Sequence, residues 1–188
     1  MGTTREHLVA ATKELLWERG YEATSPRAIL ERSGAGQGSL YHHFSSKADL
    51  AATALQEVAD EMRDKYDKVL HSDKPALERI RDFLTMPREE LRGCRFGRMT
   101  QEQVTTQEIL HEPLVTFFSY LDRELGNIIE EAKQEGALSK SINTSELAAA
   151  LSAIVQGGYV LARAFQDPER MHQAIRGALI LIDSLEGR

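Results

Sequence analysis

The sequence predicts an all-α protein with a small N-terminal domain of three helices and a larger C-terminal helical domain. Two observations favour this class. Apolar residues recur at intervals of three and four along most of the chain, which places them on one side of a helix. Capping residues and Gly or Pro breaks stand at the ends of most of these stretches. Together they predict about nine helices.

The first helix is predicted from Thr3 to Gly20. Thr3 and Glu6 have the spacing of a capping box, in which each side chain bonds the backbone N–H of the other residue. Leu8 and Leu15 then lie on one apolar face, and Gly20 ends the helix. This helix is expected to support the segment that follows it.

Two short helices separated by a glycine-containing turn are predicted between Thr24 and Lys47. Ser25 is a good N-cap and Pro26 fits the first helical position, so one helix begins there and ends near Gly34. The second helix follows, with Leu40 and Phe44 on its inner face. This leaves the polar side chains outward, where they can reach base edges or phosphate oxygens: Gln37, Ser39, Tyr41, His42 and His43. The stretch is a candidate helix-turn-helix.

The charge of the chain is unevenly distributed. The net charge is -6, but residues 1–50 hold six basic and six acidic residues, so the excess negative charge lies in residues 51–188. Residues 32–48 contain no carboxylate. That window can approach phosphates without repulsion, although a neutral domain predicts modest non-specific affinity for DNA.

The composition limits the other classes of protein. A chain of 188 residues can bury a substantial core. No window approaches the ~18 consecutive apolar residues of a membrane span, and residues 1–19 are too charged for a signal peptide. The single cysteine suits a reducing compartment. We therefore expect a soluble, cytoplasmic protein without membrane contact.

Five further helices or helical stretches are predicted after Phe44. Ser46 and Asp49 cap a long helix that runs to about Leu70, without Gly or Pro. The predicted starts of the later helices are Pro75, Pro113, Asn143 and Asp167-Pro168, and an irregular stretch, LRGCRFGRM, occupies residues 91–99.

Cys94 has two interpretations. Because Arg92 and Arg95 flank it, its thiol could have a lowered pKa and sense oxidants or electrophiles. A small buried packing residue is the favoured alternative. Zinc-ligand spacing is absent, so no metal site is expected.

Three blocks in the first fifty residues resemble the TetR/AcrR family of one-component transcriptional regulators. These blocks are LLWERGYEATS, SGAGQGSLYHHF and SSKADL. The resemblance implies a helix-turn-helix DNA-binding domain in residues 1–50 and a helical effector-binding and dimerisation domain in residues 51–188. It also implies a homodimer that binds a double-stranded operator and responds to a small molecule, with repression favoured over activation.

The resemblance implies roles for matching positions of the N-terminal domain. Thr24 and Ser25 would bind phosphates, Arg27 a phosphate or guanine, and Lys47 a phosphate. Gln37, Gly38 and Ser39 would face bases. The residues expected to touch a phosphate, a sugar or a thymine methyl are Tyr41, His43 and, secondarily, His42. Pro26 is a departure from the family pattern that could rotate Arg27.

The resemblance also implies an effector cavity between the middle helices and an interface between the last two helices of each subunit. The candidate effector-binding residues, which suggest an uncharged, apolar or aromatic molecule, are Phe83, Met86, Phe96, Met99, Phe117, Tyr120, Leu121 and Tyr159. The candidate interface residues are Leu151, Ile154, Val155, Gly158, Ala162, Ile175, Leu179 and Ile182. The alternative for both sets is ordinary intrachain core.

The sequence leaves two rival classes of function, an enzyme and a helical interaction protein. An enzyme would need a nucleophile motif, a phosphate-binding loop or a metal cluster, and the sequence has none, so we expect no catalytic residue and no cofactor. A helical interaction protein with a degenerate helix-turn-helix is the closer rival. The intact segment from Gln37 to Phe44 argues against it.

Overall fold

The computed structural model describes residues 2–103 and 107–186. These residues form nine α-helices and one isolated β-bridge, between Leu138 and Glu186. The helices are α1 Thr4–Arg19, α2 Pro26–Ser33, α3 Ser39–His43, α4 Lys47–Leu70, α5 Ala76–Thr85, α6 Arg95–Met99, α7 Glu108–Gln134, α8 Thr144–Phe165 and α9 Glu169–Ser184. The predicted all-α class is confirmed.

The predicted ends of α1 are confirmed. The Thr3 hydroxyl accepts a hydrogen bond from the Glu6 amide at 3.3 Å, and the Glu6 carboxylate accepts one from the Thr3 amide at 2.9 Å. Gly20 ends the helix with φ at 81°, a left-handed value that glycine adopts without strain.

The long helix α4 has the predicted bounds. Ser46 accepts a hydrogen bond from the Asp49 amide at 3.0 Å, and the Asp49 carboxylate in turn accepts from the Ser45 amide at 2.8 Å. The first bond satisfies one of the backbone donors that a helix start leaves without an intrahelical partner, and the second fixes the residue before the N-cap.

The start of α7 differs from the prediction. The helix begins at Glu108, and Pro113 lies inside it. Pro113 removes one backbone donor near the start of the helix, where the cost is a single hydrogen bond to Ile109. The proline was therefore a poor marker of where the helix begins.

The chain divides into two compact units. Unit 1 consists of Met1–Met62 and Cys94–Phe117, and unit 2 consists of Arg63–Gly93 and Phe118–Arg188. The sequence predicts a boundary at residue 50 between a DNA-binding and an effector-binding domain. The contacts within the chain divide it differently, because α6 packs against α1 and so groups with the N-terminal helices.

Each unit has its own apolar core. In unit 1, Leu8, Ile29 and Leu40 are fully buried, and the rings of Phe96 and Phe117 stack with centroids 4.3 Å apart. The core of unit 2 is built on the packing of α8 against α9 and includes the fully buried residues Ile80, Phe83, Ile129 and Ile182. Burial of this kind supplies most of the stability of helical proteins.

Candidate DNA-binding surface

Helix α2 begins and ends as its sequence predicts. The Ser25 hydroxyl accepts a hydrogen bond from the Ala28 amide at 3.1 Å, and Pro26 occupies the first turn. Gly34 ends the helix with φ at 69°. This left-handed residue allows the chain to reverse before α3.

Helix α3 is anchored by two buried side chains. Leu40 is fully buried and Phe44 is 4% exposed, as the spacing of the two residues predicted. The helix begins at Ser39, two residues later than expected, and Gly38 is its N-cap. The anchors fix which side of α3 faces the core of unit 1.

The opposite side of this segment is open to solvent. Gln37, Tyr41, His42 and His43 are exposed and Ser39 is half-buried. The two imidazole rings meet edge to face, with centroids 4.8 Å apart. The segment therefore presents amide, hydroxyl and imidazole groups of the kinds that bind DNA.

Both arginines of α2 are paired with carboxylates. The Arg27 side chain is 87% exposed and lies 2.7 Å from Glu31, one turn further along α2. Arg32 makes two hydrogen bonds to Glu18 of α1, at 2.9 and 2.7 Å. Arg27 can exchange its exposed partner for a phosphate at small cost, whereas Arg32 fastens α2 to α1.

The position of Thr24 corrects its expected role. Its side chain is 1% exposed, and its hydroxyl donates to the Gly20 carbonyl at 2.6 Å. A hydroxyl buried and bonded in this way cannot reach a phosphate. We therefore assign Thr24 to the turn between α1 and α2 instead of to the DNA contacts.

Lys47 is also engaged within unit 1. Its ammonium donates to the carbonyl oxygens of Tyr21 and Thr24, at 3.1 and 3.0 Å, and lies 3.8 Å from the centroid of the Tyr21 ring. Burial lowers the pKa of Lys47, although the carboxylates of Glu102 and Glu22 oppose this effect. A phosphate contact would have to be made by an ammonium that already carries two hydrogen bonds.

Most of the residues expected to bind the effector are core residues in this structure. Within unit 1, Phe96, Met99 and Phe117 are at most 1% exposed. The members in unit 2 are buried or, in the case of Tyr159, half-buried: Phe83, Met86, Tyr120, Leu121 and Tyr159. The effector role of all eight stays a prediction.

Polar side chains also surround Tyr120 in unit 2. Its hydroxyl donates to the Asp67 carboxylate at 2.5 Å, and burial together with this carboxylate raises the pKa of Tyr120.

Met86 lines a cavity of about 230 Å³ between the end of α5 and α9, with Met171 and Ile175 on its other wall.

The packing of α8 against α9 corrects the expected dimer interface. Six of the eight expected residues are buried inside the subunit: Leu151, Val155, Gly158, Ala162, Ile175 and Ile182. Of these, Gly158 alone also borders the groove between the outward faces of α8 and α9. A Cβ atom on Gly158 would lie 2.2 Å from the Met171 sulfur, so this glycine permits the intrachain contact. Ile154 and Leu179 are half-buried.

The outward faces of the same two helices form an exposed apolar surface. A groove of about 540 Å³ lies between α8 and α9 and is lined by Ile154, Gly157, Gly158, Leu161, Ala174, Gly177, Ala178, Ile180 and Leu181. Phe165, Ile180 and Leu181 are 58, 69 and 57% exposed. Helical periodicity predicts apolar residues on more than one side of both helices. It does not show which side packs inside the subunit and which side is exposed.

Within the part of the chain that the structure describes, α8 is the one helix long and apolar enough to cross a membrane by length and composition. Of its most apolar stretch, 28% is buried within the subunit. Residues 2–103 and 107–186 contain no group of three or more His, Cys, Asp or Glu side chains placed to hold a metal ion.

Comparison with known families and proteins supports the assignment suggested by this geometry. The model for bacterial regulatory proteins of the TetR family matches residues 8–61, and that for the tetracycline repressor-like C-terminal domain matches residues 75–178. The HTH-type transcriptional regulator LmrA of Bacillus subtilis (strain 168) is 28% identical over 167 residues, which cover 85% of this chain and 86% of LmrA. The HTH-type transcriptional repressor DhaR of Mycobacterium sp. (strain GP1) is 24% identical, over 90% of this chain and 87% of DhaR.

Solved structures share the fold. A TetR transcriptional regulator from Chloroflexus aurantiacus superposes with a TM-score of 0.89 at 23% identity, over 97% of this chain and 96% of that one. A TetR-family regulator from Cytophaga hutchinsonii gives a TM-score of 0.89 at 18% identity, over 98% and 96% of the two chains. With two family models matching most of its length, the chain belongs to the TetR family of transcriptional regulators and is not an enzyme.

Proposed function

We propose that the chain is a ligand-responsive repressor that binds a palindromic operator as a homodimer and is released when a small molecule binds its C-terminal domain. The observation that carries this proposal is the segment from Gln37 to His43, whose polar side chains are exposed while Leu40 and Phe44 anchor it. A fixed helix with an exposed polar face is what reading base edges requires. We place the protein in the cytoplasm, where such an operator lies.

The contacts divide into two kinds. Ser25 and Arg27 lie at the start of α2 and are proposed to bind phosphates, with Arg27 leaving Glu31 to do so. The groups proposed for bases, sugars and thymine methyls are those of α3 and the residues before it: Gln37, Gly38, Ser39, Tyr41, His42 and His43. The absence of carboxylates between residues 32 and 48 supports this arrangement.

The proposed dimer interface is the α8–α9 groove and its rim. Its walls are apolar, and the large side chains of Val160, Leu161, Phe165, Ile180 and Leu181 are exposed along the same two helices. Exposed apolar area of this extent on a pair of helices is stabilised by burial against a second copy of the pair, which gives a four-helix bundle. Two α3 helices would then bind two operator half-sites.

The proposed effector is uncharged and apolar or aromatic. The supporting observation is the apolar character of the candidate residues, which in unit 2 include Phe83, Met86 and Leu121. Because these side chains are buried, an effector would have to open their packing. A change of this kind can alter the separation of the two α3 helices through α4, and DNA and effector would then oppose each other by typically about 1–3 kcal/mol.

Fluorescence anisotropy with labelled duplexes from the promoter regions beside the gene tests the DNA-binding part. We expect specific binding that weakens with salt, and Arg27→Ala should weaken binding to all duplexes and reduce the salt dependence. Binding that does not distinguish these duplexes from scrambled ones would refute operator recognition.

A thermal-shift screen of aromatic and apolar small molecules tests the effector part. A molecule that raises the melting temperature should also release the labelled operator, since DNA and effector are linked through the same protein. Stabilising molecules that leave operator affinity unchanged would refute the release mechanism.

A further inference from the structure

The turn between α1 and α2 is held from two sides within unit 1. On one side the Glu102 carboxylate accepts hydrogen bonds from the amides of Tyr21, at 2.9 Å, and Glu22, at 2.8 Å. On the other side the Lys47 ammonium donates to the carbonyl oxygens of Tyr21 and Thr24. A carboxylate thus binds two backbone donors of this turn, and an ammonium binds two of its backbone acceptors.

Gly20 makes room for the carboxylate. A Cβ atom at this position would lie 1.7 Å from Oε1 of Glu102, so the carboxylate occupies the space that a side chain would need. Gly20 also has a φ of 81°, which disfavours any other residue. The conformation and the space at residue 20 therefore both suit this contact.

Helix α6 positions Glu102 beside the turn between α1 and α2. The Glu102 amide donates to the Met99 carbonyl at 3.0 Å, which places Glu102 directly after α6. At the other end of the helix, the Arg95 guanidinium lies 4.2 Å from the Trp17 ring centroid of α1 and 3.4 Å from the Glu61 carboxylate. Both ends of α6 are thus bound to other elements of unit 1.

The turn determines where α2 begins. It joins Gly20, the C-cap of α1, to Ser25, the N-cap of α2, and the buried Thr24 hydroxyl closes it through the Gly20 carbonyl. A shift of this turn would shift the start of α2 and, with it, the exposed groups of α3. Withdrawal of Glu102 would leave two backbone donors without their charged acceptor.

We propose that Glu102 is a positioning residue for DNA binding, whose carboxylate fixes the α1–α2 turn against Lys47 and so fixes α2 and α3 in the operator-binding arrangement. The effect of Glu102 on DNA binding rests on the proposed function, because it requires that the protein bind an operator. Glu102 acts through the backbone of residues 21 and 22. A separation of about eighty residues between the partners leaves no signal in the sequence.

The test compares Glu102→Gln with Glu112→Gln, which removes the same charge from an exposed position of α7. In Glu102→Gln we expect the operator Kd to rise by about tenfold, as for the loss of one hydrogen bond to a charged group. The salt dependence of binding should not change, since no phosphate contact is lost. Glu112→Gln should bind as the wild type does.

Amide hydrogen exchange measured by NMR reports the turn without DNA. The Tyr21 and Glu22 amides should exchange about tenfold faster in Glu102→Gln. Unchanged exchange would overturn the proposal, and so would faster exchange with an unchanged operator Kd. If the wild type bound no operator, the proposed function would fail, while the exchange rates would still decide whether Glu102 holds the turn.

The substitution Gly20→Ala provides a second, independent test of the contact between residue 20 and Glu102. Its methyl group would displace the Glu102 carboxylate, so its effect on operator Kd should be smaller in a Glu102→Ala background than in the wild type. Purely additive effects of the two substitutions would contradict the proposed contact.

Discussion

Replacing Ile180 by Asp tests the proposed dimer interface most directly. Ile180 lines the α8–α9 groove and is the most exposed large apolar residue described, at 69%. Its side chain contributes little to the subunit core, so Ile180→Asp should leave the subunit folded. The same exposure makes it a large contributor to a symmetric interface.

The expected loss of dimerisation free energy follows from the exposed fraction of the Ile180 side chain. Complete burial of an isoleucine side chain contributes about 2 kcal/mol, so burial of the exposed 69% contributes about 1.4 kcal/mol. A two-fold dimer contains this residue twice, which doubles the loss to about 3 kcal/mol. We therefore expect the dimer dissociation constant to rise by about a hundredfold or more, because a buried aspartate adds a desolvation cost.

Sedimentation equilibrium measures this constant, and circular dichroism checks that the variant is folded. Val115→Asp is the control, because Val115 is also an exposed apolar residue, at 46%, and lies on α7 outside the groove. An Ile180→Asp protein that dimerises like the wild type would refute the assignment of the groove. Disruption by Val115→Asp alone would place the interface elsewhere.

Three further predictions concern base contacts, packing and pH. Gln37→Ala should reduce discrimination at one base pair by about 1–3 kcal/mol, measured with single-substitution operators; equal loss on every duplex would contradict a base contact. Gly158→Val forces atoms into the α9 methionine sulfur and should lower the free energy of unfolding by roughly 1–3 kcal/mol in urea titrations, whereas an unchanged midpoint would deny the close packing. Burial raises the pKa of Glu124, but hydrogen bonds with His71 and Arg123 outweigh this and leave it below the ordinary 4.5. Its contribution to stability is therefore complete above that value and is lost as the pH falls through the lowered pKa. Acid unfolding monitored by circular dichroism should show a smaller loss for Glu124→Gln than for the wild type, and identical acid transitions would exclude this contribution.

Local interactions account for the features that the sequence predicted well. The Thr3–Glu6 capping box, the Ser25 cap and the α4 bounds depend on residues three or four apart. Leu40 and Phe44 are likewise one turn apart, so their shared face could be recognised before their burial was known. For the same reason the helix-turn-helix resemblance placed the exposed polar segment correctly.

The faces of α8 and α9 needed the tertiary structure. Periodicity identified apolar residues on several sides of both helices, and Val155, Ala162 and Ile182 were expected at the dimer interface. They are buried inside the subunit, while Leu161 and Ile180 face outward. An apolar side chain gains similar free energy from either partner, so the pattern alone cannot assign the partner.

The sequence by itself determined the all-α class, the ends of α1, α2 and α4 and the family, because each rests on spacing along the chain. Only the tertiary structure decided that Thr24 is buried, that Lys47 binds two carbonyl oxygens and that Glu102 reaches the α1–α2 turn. The contacts of Lys47 and Glu102 join residues that lie far apart in the chain. Their geometry is set by the packing of α4 and α6 within unit 1, and no local pattern encodes it.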